Sequence, residues 1–417
     1  MGTEFLKIKE VDETKEIIKN LFKELYLPKS ESISIEDSYN RVLFKDINSS
    51  IDLPPFSRSL MDGYAVKSED TFGASDETPR VLKCIDSVEA GTYSKKTIRN
   101  GECIEISTGA PIPGGSDAVV MVEFTDRDPN NNNKYNEEIY ILKSVAPNQD
   151  LAIKGSDIGK DKLLLKEKTL LSPDKIGVLA AQGIKEIEVF KKPKIGVIST
   201  GNELLMEDEE IIYGKIYDVN SQAIKNGAIA NGADAIAEGI VKDNYDKLKE
   251  KIESSLTDSD MVICSGGTSA GVGDVLRHVL DEIGEVIIHG VSVKPGKPTI
   301  IGKVNEKIVI GLPGNPVSAL IIFYVFIVPN IRRIAGMEGE NIERSYATLA
   351  KRIHSPKGRM HYSLVQIKEG LAYPIVKDSG AITSLADADG YIKIPKTTEL
   401  LDEGEKVEIT LFKWITL

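Results

Sequence analysis

The stretch Lys194-Ile-Gly-Val-Ile-Ser-Thr-Gly-Asn-Glu203 decides the fold: an apolar run of strand length that breaks at its carboxyl end into small and polar residues. Three similar runs follow before residue 335: ADAIAEGIV, DMVICSG and EVIIHGV. Helical patterns alternate with them. These are Ser221–Asn231, with Asn220 placed to cap it, Asn244–Leu256, and a third from near Val272 to Gly284. Such alternation predicts a mostly parallel sheet with right-handed crossovers and helices on both faces.

Outward from this centre the texture changes. Residues 11–27 place Ile17, Ile18, Leu21, Phe22 and Leu25 at helical spacing, and Pro28 ends that pattern. From 32 to 150 the chain reads mostly β, with VLKCID, CIEIS, AVVMVEF and EIYILK separated by turn residues and by an Asn-rich hairpin loop at 128–134. After Gly336 the runs SYATLAKRI, YSLVQIK, YIKIP and VEITLF are spaced like a small barrel or sandwich. The fold class is therefore α/β and β multidomain: a central α/β domain, flanking β domains and a small barrel-like C-terminal domain.

The 417 residues suit about three domains, and 41% apolar content supplies their cores. A formal charge of −12 argues against nucleic acid as a partner while leaving room for a local anion pocket. Three cysteines without a C-x-x-C and four histidines argue against a disulfide framework or zinc ribbon. No charged-then-apolar leader opens the sequence, so the cytoplasm is the expected compartment. The most apolar run, Val317–Val328, meets Pro329 after 12 residues, short of the roughly 20 that span a bilayer. It reads as a buried helix rather than a membrane anchor.

In an open parallel sheet, ligands bind beyond the carboxyl ends of the strands. That edge collects Glu203, Asp218, Asp243 and Asp274, together with the glycine-dense turn Ser265–Asp274 feeding a helix. Glycines let backbone N–H groups approach an anion at a helix N-terminus. Carboxylates beside such a cradle suit Mg2+. A phosphorylated small molecule is the natural ligand, although each acid taken alone is as well explained as a helix cap or surface charge. P-loop, dinucleotide and H-E-x-x-H patterns are absent. Downstream, Val293-Lys-Pro-Gly-Lys-Pro298 fixes two lysines in a proline-stiffened turn, and Gly311-Leu-Pro-Gly-Asn-Pro316 leads into the apolar helix. In the β region, two Pro/Gly-rich loops, 53–65 and 107–113, carry Arg58, Asp62 and Thr108.

Taken in order, PPFSRSLMDGYAV, STGAPIPGGSDAVVMVE, GVISTGNEL, SGGTSAGVGD, KPGKP and GLPGNPVSA closely resemble the molybdopterin molybdenumtransferase family, which includes MoeA and the C-terminal domain of gephyrin. The resemblance runs from residue 54 to 319 and implies insertion of molybdate into adenylylated molybdopterin, with Mg2+-dependent release of AMP. It implies four domains: an elongated one from residues 1–50 and 147–180, a β-rich one at 51–146, the α/β domain at 181–335 and a β-barrel at 340–417. It also implies a homodimer with a composite cleft, supplied by a molybdopterin adenylyltransferase upstream. Asp62 and Thr108 would come from the partner subunit. Glu203, Asp243 and Asp274 would serve Mg2+ and phosphate chemistry, with Asp157 a more distant acid and Asp218 on the substrate. Lys294, Lys297 and Ser269 would lie near molybdate or the pterin phosphate, and Pro313 and Pro316 would shape the pocket. Arg359 and Ser384 (or Ser379) correspond to C-terminal positions near the molybdenum. Two other readings stand beside this one: the upstream adenylyltransferase, whose fold resembles residues 194–335, and a clustering scaffold.

Overall fold

The computed structural model describes residues 7–127, 137–266, 273–339, 343–377 and 380–412, with the side chains of Gly273 and Asp274 left out. Ser269 and Ser379, the side chain of Asp274, most of the glycine-dense turn and the Asn-rich loop lie outside the described residues. The chain divides into two compact units. One comprises Met1–Ile33, Asn40–Phe44 and Glu188–Leu417, and the other Ser34–Tyr39 and Lys45–Ile187.

Helix α1 (Val11–Leu25) belongs to the first, larger unit. Its buried stripe of Val11, Thr14, Ile18, Leu21 and Phe22 recurs every three or four residues, and its apolar members join that unit's main core. The helix is anchored to the α/β sheet, where the Tyr26 hydroxyl donates to the Asp260 carbonyl at 2.8 Å and accepts from Ile308 N–H at 3.1 Å.

The smaller unit is built on β1 (Gly63–Val66), β2 (Arg80–Val88), β3 (Glu102–Ile106), β4 (Ala118–Met121), β5 (Thr125–Arg127) and β6 (Glu137–Ile141). They form one six-stranded sheet in the order β4-β1-β3-β2-β6-β5, all neighbours antiparallel except β2 and β3. Alternate residues fill separate cores on its two faces, Tyr64 and Val66 on one and Ala65 on the other. Helix α2 (Pro173–Ala181) carries proline in its first turn.

In the larger unit the strands and helices follow the expected alternation: β7 (Lys194–Thr200), α3 (Asn220–Ala230), β8 (Asp234–Val241), α4 (Tyr245–Asp258), β9 (Met261–Ser265), α5 (Gly273–Ile283), β10 (Glu285–His289), β11 (Val293–Lys294), β12 (Ile300–Val304), β13 (Lys307–Leu312) and α6 (Pro316–Ile322). The sheet order is β8-β7-β9-β13-β12-β10. The first four strands are parallel, whereas β12 and β10 add an antiparallel edge. The run EVIIHGV is thus an antiparallel edge strand, because β12 and β13 form a hairpin and no crossover helix separates them. Along β9, Met261 and Ile263 enter the core shared with α1, α3 and α6, while Val262 and Cys264 enter the one shared with α4 and α5. Burial on both faces explains why these strands are apolar throughout.

The apolar helix does not stop before Pro329. It continues from α6 through a π-helical turn, Phe323–Ile327, into α7 (Val328–Ile334). Pro329 stands in the first turn of α7, where its missing N–H is least costly. Among the described residues, Pro316–Ile334 is the only helix long and apolar enough to cross a membrane, yet 72% of its apolar window is buried inside the protein.

The C-terminal strands are β14 (Arg344–Leu349), β15 (Met360–Lys368), β16 (Leu371–Pro374), β17 (Gly390–Ile394) and β18 (Lys406–Leu411). They close in the order β15-β16-β14-β18-β17 and back to β15, a five-stranded barrel. Strand β11 pairs parallel with β15, Val293 opposite Met360 and Lys294 opposite His361. Two residues of the lysine-bearing turn are thereby stitched to the barrel.

Candidate active site

At the carboxyl ends of β7, β9 and β13 lies a cavity of about 670 Å3 lined by Thr200, Glu203, Asp218, Asn220, Gly266, Pro313 and Pro316, among others. The strands run into it because each ends in small or polar residues. Gly266 has φ +101°, and a Cβ there would fall 2.1 Å from the Thr200 carbonyl oxygen, so only glycine lets the backbone turn at this point. Pro316 starts α6 behind the Asn315 cap position.

Asn220 does not cap α3 as its position suggests. Asp218 does, its Oδ1 accepting from Ser221 N–H at 3.2 Å. Buried Asn220 instead donates through Nδ2 to Ser265 Oγ at 2.8 Å and to the Gly314 carbonyl at 2.7 Å, tying the ends of β9 and β13 to the helix. Its Oδ1, and Ser199 Oγ, are buried without a hydrogen-bond partner. Such groups are rare in the absence of a ligand or water.

Asp243 does not line this cavity. It exchanges hydrogen bonds with Asn202, whose N–H donates to Oδ2 at 3.4 Å, while Asp243 N–H donates to Asn202 Oδ1 at 3.3 Å. Its Oδ1 is buried and unpartnered. Burial raises its pKa above the ordinary carboxylate value and the charge of Glu203 adds to the rise, against the Asn202 N–H. A carboxylate held this way is short of positive charge. Among the described residues no group of three or more His, Cys, Asp or Glu could hold a metal; the side chain of Asp274, the third member of the expected trio with Glu203 and Asp243, lies outside them. Glu203 and Asp243 are the pair present, and Mg2+ is commonly held by one or two carboxylates with phosphate oxygens and water completing its shell. The residues present therefore fit that ion.

A second cavity, also about 670 Å3, meets the first at Pro298 and lies between the lysine turn, α6 and the barrel. Lys294, Lys297, Arg352, Arg359 and Lys377 line it, and among the described residues no carboxylate does. Arg352 is paired with Asp402 at 2.9 Å and Lys377 with Asp387 at 3.2 Å. Lys294, Lys297 and Arg359 have no ion pair among the described residues, which leaves three uncompensated cations in a chain of net charge −12. The turn is rigid. Lys297 O accepts from Val291 N–H and Thr299 N–H, each at 3.0 Å, and Thr299 Oγ1 donates to Gly296 O at 2.8 Å. Ser384 also lines this cavity, its Oγ buried and unpartnered. Sequence reasoning did not find His361, Tyr362 and Ser318 here, because their only signal was alternation along a barrel strand or burial in a helix.

In the smaller unit the two loops are zipped together. Thr108 N–H donates to Asp62 Oδ1 at 2.7 Å, Ser59 N–H to Ala110 O at 2.9 Å, and Gly109 N–H to Ser59 O at 2.8 Å. Arg58 bridges to Pro111 on the same edge. The turn carrying Asp157 is fastened beside them, with Asp157 N–H on Leu53 O at 3.0 Å. Phe56, Leu60 and Met61 of the first loop are exposed.

Family models match three successive stretches of the chain. "MoeA N-terminal region (domain I and II)" matches residues 9–183, "Probable molybdopterin binding domain" residues 196–333, and "MoeA C-terminal region (domain IV)" residues 346–412. The chain is 36% identical to a molybdopterin biosynthesis protein of Methanocaldococcus jannaschii, covering 92% of this chain and 93% of that one. It is 32% identical to the molybdopterin molybdenumtransferase of Bacillus subtilis, covering 92% and 90%. The crystal structure of a molybdopterin biosynthesis MoeA protein from Pyrococcus horikoshii superposes with a TM-score of 0.85 at 41% identity, over 98% of this chain and 100% of that one.

Proposed function

Because the chain belongs to the molybdopterin molybdenumtransferase family of molybdenum cofactor biosynthesis, we propose that it inserts molybdate into adenylylated molybdopterin and releases AMP in a Mg2+-dependent step. The observation that carries this reading is the cation-lined cavity, without a carboxylate among its described residues, joined at Pro298 to one bearing Glu203 and Asp218. A tetrahedral dianion suits the first, and a phosphorylated pterin with its metal suits the second.

Lys294, Lys297 and Arg359 bind molybdate and offset its charge, with Ser384 and Ser269 as neutral donors. Pro313 and Pro316 shape the pterin pocket, and Asn220 Oδ1 with Ser199 Oγ orients the substrate through bonds that nothing in the protein makes. Glu203, Asp243 and Asp274 would hold Mg2+, which would supply neutralisation of charge on the scissile phosphates. Little general-base chemistry is required, since positioning and electrostatics carry most of phosphoryl transfer. Asp62 and Thr108 of the partner subunit complete the cleft in a homodimer, with Asp157 a more distant acid. The exposed Phe56, Leu60 and Met61 beside Asp62 support a subunit contact at that loop. A molybdopterin adenylyltransferase supplies the substrate, and three free cysteines fit a reducing cytoplasm.

The test is turnover of adenylylated molybdopterin with Mg2+ and molybdate, and in parallel tungstate, reading free AMP and bound metal. Asp274→Asn abolishes AMP release while circular dichroism stays unchanged. Unimpaired turnover in that variant removes the metal-site assignment. Adenylylation of molybdopterin from ATP without added oxyanion would instead identify the upstream enzyme.

A further inference from the structure

His361 is the one imidazole in the basic cavity that sits on the barrel strand β15 and is 9% exposed. It stands opposite Lys294 in the β11–β15 register. Its Nδ1 is sealed from solvent with no hydrogen-bond partner, so the ring meets a ligand through Nε2. A neutral imidazole with its hydrogen on Nε2 leaves only a lone pair at the sealed nitrogen, whereas the other tautomer would bury an unsatisfied N–H. Charge is unavailable to it. Burial and Lys294 hold its pKa down to about 4, and among the described residues no carboxylate lines the cavity to reverse this.

We infer that His361 is an oxyanion-binding residue, presenting an uncharged Nε2–H donor to the tetrahedral dianion held by Lys294, Lys297 and Arg359. This rests on the functional reading above and adds a residue to it. Lysine and arginine supply most of the attraction, and the neutral donor contributes direction, because an imidazole fixed in a strand cannot swing as lysine does.

The experiment is equilibrium dialysis of the whole protein against molybdate alone, between about pH 6 and 8, with thermal melting as the fold control. His361→Leu weakens molybdate binding about tenfold, the worth of one hydrogen bond to a charged group. His361→Gln, whose amide nitrogen reaches the position of Nε2, stays within about threefold. His361→Asn, which reaches only the position of Nδ1, behaves like the leucine variant. The penalty is the same across the pH range because the group remains neutral. Wild-type binding by His361→Leu overturns the inference, as does retention by Asn with loss in Gln, or a penalty confined to the acidic end. Lys297→Ala separates the two levels. If it too binds molybdate like wild type, or if wild type binds none, the functional reading falls; if it weakens binding while His361→Leu does not, only the role of His361 falls.

Discussion

Asp218 caps the helix that begins at Asn220, and the reason lies in what each side chain can donate. A carboxylate only accepts, so Asp218 takes the free Ser221 N–H. An amide also donates, and only Asn220 can satisfy Ser265 Oγ and the Gly314 carbonyl together. Asn220→Ala leaves both without that donor and lowers stability by about 1–3 kcal/mol, read as a shift in urea midpoint. Asn220→Asp is also damaging, since it sets a carboxylate against the Gly314 carbonyl, although the Ser265 hydroxyl can turn to donate to it. No loss in either variant would show that the strand ends are held by other means. The residue types that sequence reasoning put in this cavity, Glu203, Asp218, Pro313 and Pro316, do line it. Asp243 lies outside that lining and exchanges hydrogen bonds with Asn202.

Among elements, periodicity was the dependable signal. The stripe of α1, the three alternating helices and the strands of the barrel are all legible from apolar spacing. Two features were not. Pro329 reads as a terminator, yet the π-helical turn before it lets the helix run on. EVIIHGV reads like its parallel neighbours, although a hairpin reverses the strand beside it. The close approach of Gly266 to Thr200 belongs to this scale, because it joins the ends of β9 and β7. Gly266→Ala forces a side chain into the left-handed region and against a carbonyl. It costs about 1–3 kcal/mol or more, seen as a lower melting temperature, and widens the cavity mouth. An alanine variant melting like wild type would refute the need for glycine there.

For the whole molecule, the proposed composite cleft makes a prediction that no single-chain property can mimic. Asp62→Asn and Lys297→Ala each abolish turnover alone. Mixing the two inactive proteins and allowing subunits to exchange restores up to about a quarter of wild-type activity, because half the dimers are mixed and each then holds one intact site out of two. Absence of any recovery, with exchange verified by mass, would place all the site residues within one subunit. What the sequence determined alone was the class of each segment and the residue types of the site, since apolar period and local turn chemistry are written in neighbouring residues. Tertiary structure decided which of those residues share a cavity. Lys294 and His361 are 67 positions apart and meet only through the β11–β15 pairing, and an uncompensated charge is defined by what surrounds it, which no linear pattern records.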